Sequence, residues 1–361
     1  MEKYRVGIVG ATGMVGQRFI SLLKDHPWFE VNCVAASARS AGKMYREAVG
    51  ERWAFSWEIP EKVAGMTVVD AADIDEVSKH VDFVFCAVDM KKDEIRALEE
   101  AYAKHEIPVV SNNSACRGIE DVPMVVPEIN ADHLAVIEAQ KKRLGTKSGF
   151  IAVKPNCSIQ SYVPALTPLL DFEPEKVSVC TYQAISGAGK TFKTWPEMVD
   201  NVIPYIGGED EKSENEPLKL WGHVEDGKIV NATLPVISAQ CLRVACSDGH
   251  MAAVSVSFKK KPTIEQIKER WANYETEAQR LELPSAPKPF LQYFEDPSRP
   301  QTRLDRDFQN GFGVSIGRLR EDKLFDYRFV CLSHNTVRGA AGGGILTAEL
   351  LCRKGYIPHR V

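Results

Sequence analysis

The apolar run Tyr4 to Val9 leads into Gly10-Ala11-Thr12-Gly13-Met14-Val15-Gly16, and a helical pattern follows from about Gly13 to Lys24. Glycines at 10, 13 and 16 permit a tight turn and a helix packed close on a sheet. Further strands are expected at Glu30 to Ala36, Val81 to Val88 and Pro108 to Ser111, with a helix at Lys91 to His105. This β/α alternation predicts a Rossmann-type, doubly wound parallel sheet. From about Lys176 the pattern turns β-rich, with strands expected at Val177 to Ala184, Ala239 to Cys246 and Met251 to Phe258 and one helix at Thr263 to Leu281. A chain of 361 residues has room for two units. The expected division is residues 1–155, rejoined by a C-terminal helix within 340–361 (Gly342 to Cys352), and an α+β unit at 156–339 with a largely antiparallel sheet. The polar stretch Gly207 to Glu214 and the proline-rich stretch Leu283 to Pro300 read as surface loops, either connectors or covers of a site.

Composition removes several function classes. Lys plus Arg number 45 against 49 Asp plus Glu, scattered along the chain, where a nucleic-acid or membrane-surface protein would show a basic stripe. No apolar run approaches the ~18 residues of a membrane span, and the start shows no signal-peptide pattern, so a cytoplasmic protein is expected. Nine cysteines are too dilute for a disulfide scaffold, and neither CxxC nor HExxH occurs; no metal site is expected. Most of these thiols should be buried fillers, with one available for chemistry.

The turn at Gly10 to Gly16 stands where a dinucleotide fingerprint belongs, with the helix N-terminus offering N–H groups to a pyrophosphate. Its GxxGxxG spacing also fits a purely structural turn. After the second expected strand, where an NAD site places an acid, the chain reads Ser37-Ala38-Arg39-Ser40-Ala41-Gly42-Lys43. Two hydroxyls and two cations there suit a 2′-phosphate, or form a solvated basic loop.

Cys157 follows Pro155-Asn156 in a turn that can open a helix, a setting that favours a thiolate and can hold an oxyanion; a buried filler is the alternative. A thiol nucleophile needs a proton carrier, and His250 ends the stretch Arg243-Val244-Ala245-Cys246-Ser247-Asp248-Gly249-His250. With Asp248-Gly249 as a two-residue hairpin turn, Arg243 and His250 would project to one face. A satisfied structural histidine is the competing reading.

These residues and their surroundings resemble a known family. GATGMVG, SARSAGK, PNCSIQ, YQAISGAGK, GGEDEK, RVACSDGH, RLDRDFQNGFGVSIGRLR and HNTVRGAAGGG occur in the order found in aspartate-semialdehyde dehydrogenases, in the branch of archaea and fungi. The resemblance implies an NADP-binding first domain, a catalytic and dimerisation second domain, and a homodimer or dimer of dimers. It implies reductive dephosphorylation of aspartyl phosphate to aspartate semialdehyde with release of inorganic phosphate, in synthesis of lysine, threonine, methionine and isoleucine. Cys157 would be the nucleophile, His250 the proton carrier, Gln183 the group that orients the acyl intermediate, and Asn156 an assistant beside the thiol. Arg243 would hold the substrate α-carboxylate and Glu209 its amino group, with Glu211 as competitor; Lys212 and Arg117 would bind phosphate.

Cofactor contacts implied in the same way are Gly10, Thr12, Gly13, Met14, Val15, Ser37, Arg39, Ser40, Lys43, Cys86, Ser186, Gly187 and Asn335. One departure stands out: Ala245 occupies a place that often holds proline. A malonyl-CoA reductase-like enzyme on the same scaffold, with coenzyme A as acyl carrier, is the nearest alternative. A dinucleotide-binding module without turnover is a weaker one.

Overall fold

The structure is a computed structural model that describes residues 2–359. Six parallel strands, β1 (Tyr4–Val9), β2 (Phe29–Ala36), β3 (Val69–Asp70), β4 (Phe83–Cys86), β5 (Val109–Ser111) and β6 (Ile151–Val153), form one sheet in the order β3-β2-β1-β4-β5-β6. That order reverses at β1, so the glycine turn after β1 opens at the switch point where such folds bind nucleotides. One face buries Val6, Ile8, Phe83 and Phe85 against Phe19 from helix Met14–Leu23 and Ile345 and Leu346 from the last helix, Gly342–Arg353. The expected return of the C-terminal helix to this sheet is therefore present; residues 360–361 of the expected segment lie outside the described residues.

The second part carries β7 (Pro174–Gln183), β8 (Val202–Ile203), a two-stranded ribbon of β9 (His223–Glu225) and β10 (Lys228–Val230), then β11 (Val236–Val244), β12 (His250–Phe258), β13 (Leu291–Phe294), β14 (Val314–Glu321) and β15 (Tyr327–Ser333). All but the ribbon join one sheet, ordered β13-β14-β15-β12-β7-β11-β8. It is mixed and mostly antiparallel, with β7/β11 and β13/β14 parallel. Its inner face buries Val177, Val179, Val254, Val256 and Phe329 with Tyr162 and Leu166 of helix Ile159–Leu166.

Four expectations fail, each for a local reason. β11 and β12 are not a hairpin, because β7 lies between them and pairs with both. The expected loop at Gly207 begins helix Glu209–Leu220, whose inward face is polar and so leaves no apolar period to read. The helix expected over Thr263 to Leu281 is two, Ile264–Ala272 and Glu277–Arg280, since Thr276 with Gln279 makes a second capping box after that of Thr263 with Gln266. The proline-rich stretch holds the edge strand β13.

Among the described residues no helix is long and apolar enough to cross a membrane, and no group of three or more His, Cys, Asp or Glu is placed to hold a metal ion.

Candidate active site

Three adjacent strands end side by side. Arg243 on β11 pairs with Gln183 on β7, and His250 begins β12 one residue beyond the Met251–Tyr182 pair. Alternation along the strands turns all three side chains inward, where each is at least nine-tenths buried. Gly187 fits between two of them: a Cβ there would lie 2.8 Å from Arg243 Nη1 and 2.9 Å from His250 Nε2. Arg243 and His250 thus share a face, as expected, although the hairpin offered as the reason does not exist.

Arg243 Nη1 donates to the Ala184 carbonyl at 2.7 Å, and the Ala184 N–H donates to His250 Nδ1 at 3.1 Å. With Nδ1 accepting, the neutral ring carries its proton on Nε2, which is buried without a protein partner among the described residues. Burial and the Arg243 charge push the His250 pKa down to about 3, so the ring is neutral at physiological pH.

Cys157 lies two residues before helix Ile159–Leu166 and remains partly exposed. Asn156 shapes the turn: its Oδ1 accepts from Ser158 N at 2.8 Å and from Ser158 Oγ at 2.7 Å, while its Nδ2 donates to both Glu209 oxygens at 3.0 Å. Gly339 closes the other side, since a Cβ there would lie 2.9 Å from Cys157 Cβ. Burial and Glu209 push the thiol up, whereas Lys154, Arg243 and Arg117 pull it down.

The acidic helix Glu209–Leu220 supplies the opposite wall. Glu209, Lys212, Ser213, Glu216 and Lys219 recur at helical spacing on one face. Glu209 also accepts from Gln183 Nε2 at 3.2 Å and Lys212 Nζ at 2.9 Å. Burial opposes its ionisation, but Lys212, Asn156 and Gln183 outweigh that and hold the carboxyl below its usual range. Glu211, the competitor in sequence, is exposed on the other side.

Glu216 and Lys219 escaped the sequence reading. Glu216 accepts from Arg117 Nη1 at 2.9 Å and from the Asn156 N–H at 2.6 Å, and Lys219 Nζ donates to the carbonyls of Arg117, Ile119 and Val122. The signal that could have found them is a polar period of three and four residues from Glu209 onward.

A cleft of about 610 Å³ runs from Thr12, Met14 and Gln17 to Gly189 and Lys193. It shares Met14, Ala54, Lys190 and Thr191 with a smaller cavity that reaches Ser186, Ser247 and Thr336. Asn335 stands at that end: its Nδ2 donates to Ser186 Oγ at 2.8 Å, and its Oδ1 accepts from the Gly249 N–H at 2.8 Å. At the other end a Cβ on Gly10 would strike Ala87 O at 2.3 Å and one on Gly16 would strike Gly10 O at 2.3 Å, whereas Gly13 is exposed at the N-cap of helix Met14–Leu23. The helix start, with Val15 in its first turn, is therefore bare toward the cleft, as a pyrophosphate requires.

Ser37, Arg39 and Lys43 are exposed and Ser40 half-buried in a tight turn after β2. Neither cation is in an ion pair among the described residues. The Cys86 thiol is buried and accepts from Asn113 Nδ2 at 3.4 Å.

Residues 5–137 match the family described as semialdehyde dehydrogenase, NAD binding domain, and residues 166–338 the semialdehyde dehydrogenase dimerisation domain, which defines the class. Aspartate-semialdehyde dehydrogenase of Schizosaccharomyces pombe is 45% identical over 98% of this chain and 99% of the relative, and that of Archaeoglobus fulgidus 43% identical over 98% and 100%. The crystal structure of aspartate semialdehyde dehydrogenase with NADP from Candida albicans superposes with a TM-score of 0.89 at 39% identity, covering 99% of this chain and 100% of that one. The chain belongs to the aspartate-semialdehyde dehydrogenase family.

Proposed function

We propose that the chain reduces L-4-aspartyl phosphate to L-aspartate 4-semialdehyde, with NADPH as reductant and a thioester on Cys157 as intermediate. The observation that carries this reading is the convergence of Gln183, Arg243 and His250 at three adjacent strand ends, with Gly187 between Arg243 and His250 and with Asn156 and Glu209 beside the thiol. The bare helix start at Gly13 and the exposed Arg39 and Lys43 suit the pyrophosphate and the 2′-phosphate of NADP.

Arg243 offers a planar donor to the substrate α-carboxylate and Glu209 a carboxylate to its ammonium, which together fix the amino acid with its acyl carbon toward Cys157. The thiolate adds to that carbon and the C–O bond to phosphate breaks, with Lys212 and Arg117 as the cations that would hold the departing phosphate. The bound nicotinamide supplies the hydride. His250, neutral with its proton on Nε2, would donate a hydrogen bond from that N–H to the oxyanion that develops on the acyl oxygen; as the C=O bond re-forms the C–S bond breaks, so aldehyde leaves and thiolate is restored.

The outer face of the second sheet carries Cys180, Tyr182, Leu242, Val244, Met251, Ala253 and Val330 at half-buried or exposed positions, with no covering layer among the described residues, which fits a homo-oligomer built on that sheet. All nine cysteines are free, as in a reducing compartment such as the cytoplasm.

The test is NADP reduction with aspartate semialdehyde, run with phosphate and then with coenzyme A. Turnover with phosphate alone is expected. Turnover only with coenzyme A would replace this reading by the malonyl-CoA reductase-like one.

A further inference from the structure

Lys154 is 2% exposed, stands three residues before Cys157 and has no part in the chemistry above. Its Nζ donates to the carbonyls of Pro155 and Gly339, and its backbone N–H to Ser111 O at 3.0 Å. Those two carbonyls belong to the two segments that flank the thiol. Pro155 opens the turn that carries Cys157, and Gly339 lies in the π-helical segment Val337–Ala341 packed against it.

Among the described residues no carboxylate is hydrogen-bonded to this ammonium. The charged groups that act on it are Arg117 from the loop after β5, Glu209 and Glu216 from the acidic helix, and Cys157 itself. Burial and Arg117 pull its pKa down to about 7, and Cys157, Glu216 and Glu209 pull the other way. An apolar chain of the same length would fill the space without the cost of burying a charge. A negative charge on Cys157 adds to those of Glu216 and Glu209 in favouring the ammonium. Glu209 opposes that charge on Cys157, while Lys154, Arg243 and Arg117 favour it.

We propose that Lys154 is a positioning residue for the thiol chemistry: it ties the turn bearing Cys157 to the segment behind it and sets a buried positive charge within electrostatic reach of the thiolate. The inference rests on the reading of Cys157 as nucleophile. It predicts that removing the charge alters when the thiol reacts, beyond how well the site is built.

The test is alkylation of the full-length enzyme by iodoacetamide across the neutral and alkaline range, with the labelled residue located by mass spectrometry. Lys154→Met, of similar length without charge, should slow labelling of Cys157 about tenfold at neutral pH, the effect of one pKa unit, and match the unsubstituted enzyme once the thiol is fully ionised. Lys154→Gln, which keeps a donor for one carbonyl, should show the same displaced profile and carries the test if the Met variant does not melt cooperatively.

In the unsubstituted enzyme bearing 13C-lysine, one buried ε-carbon signal should move when Cys157 is blocked with methyl methanethiosulfonate. A rate lowered by the same factor at every pH, an unmoved profile, or no shifted lysine signal overturns the proposal. Labelling that never reaches Cys157 in the unsubstituted enzyme would instead overturn the nucleophile assignment.

Discussion

Gly187 is the point at which a single methyl group should separate folding from turnover. Its backbone does not adopt a positive φ, so alanine is tolerated by the main chain. The added Cβ would nonetheless stand 2.8 Å from Arg243 Nη1 and 2.9 Å from His250 Nε2, against 3.4 Å or more in ordinary contact. Neither neighbour is free to turn aside, because Arg243 is held by the Ala184 carbonyl and His250 by the Ala184 N–H. Each must therefore move by about half an ångström, and the two must part, in a site where a ~1 Å misplacement costs on the order of a hundredfold.

Gly187→Ala is expected to lower kcat/KM about a hundredfold, or ~2.7 kcal/mol of transition-state stabilisation. The thermal midpoint should stay within a few degrees of the parent. Steady-state kinetics with aspartate semialdehyde, phosphate and NADP measure the first and calorimetry the second. A variant within about threefold of the parent in kcat/KM would refute the reasoning, as would one whose lost activity is explained by unfolding.

Cys157→Ser should abolish acyl-enzyme formation while leaving NADP binding intact, read by mass spectrometry with an acyl phosphate analogue and by titration of the cofactor; an adduct on Cys116 or Cys180 would contradict it. Arg243→Lys should weaken semialdehyde binding by about 1.5 to 3 kcal/mol with little change in phosphate dependence, whereas Lys212→Ala should chiefly raise KM for phosphate. Replacing Arg39 and Lys43 together by Ala should raise KM for NADP far more than for NAD; equal effects would show that this turn does not read the 2′-phosphate. Glu216→Gln puts an amide donor where both Asn156 N–H and Arg117 already donate, and should lower kcat about tenfold without moving KM for NADP; an unchanged kcat would remove Glu216 from the site's support.

The sequence was most readable where chemistry is local. The glycine turn, the Asn156-Cys157 corner and the strands on either side of them follow from neighbouring residues, and the structure places them as expected. Arg243 and His250 were paired for the wrong reason, because the placing of β7 between β11 and β12 depends on contacts between segments far apart in the chain, which no local pattern encodes. The acidic helix reads as a loop in sequence because its inner face sets carboxylates against amides and a guanidinium, and an ammonium against main-chain carbonyls, in place of an apolar core. Hydrophobic periodicity is blind to a helix that buries polar groups against a site. Lys154 and Lys219 were invisible for the same reason, since a lysine whose ammonium ends on carbonyl oxygens reads in sequence like any surface lysine.

The return of the last helix to the first sheet has a consequence for how the molecule is made. Ile345, Leu346, Leu350 and Leu351 are essentially inaccessible to solvent and cover the face that also carries Phe19, Phe83 and Phe85. A ribosome releases every strand of that sheet, and then the whole second sheet, before it releases this cover, so through most of synthesis the aromatic surface of the nascent N-terminal half is covered only in part, by earlier elements such as helix Met14–Leu23. The half of the chain that is translated first is thus the last to be completed, and the second sheet can assemble in full while the first awaits its lid.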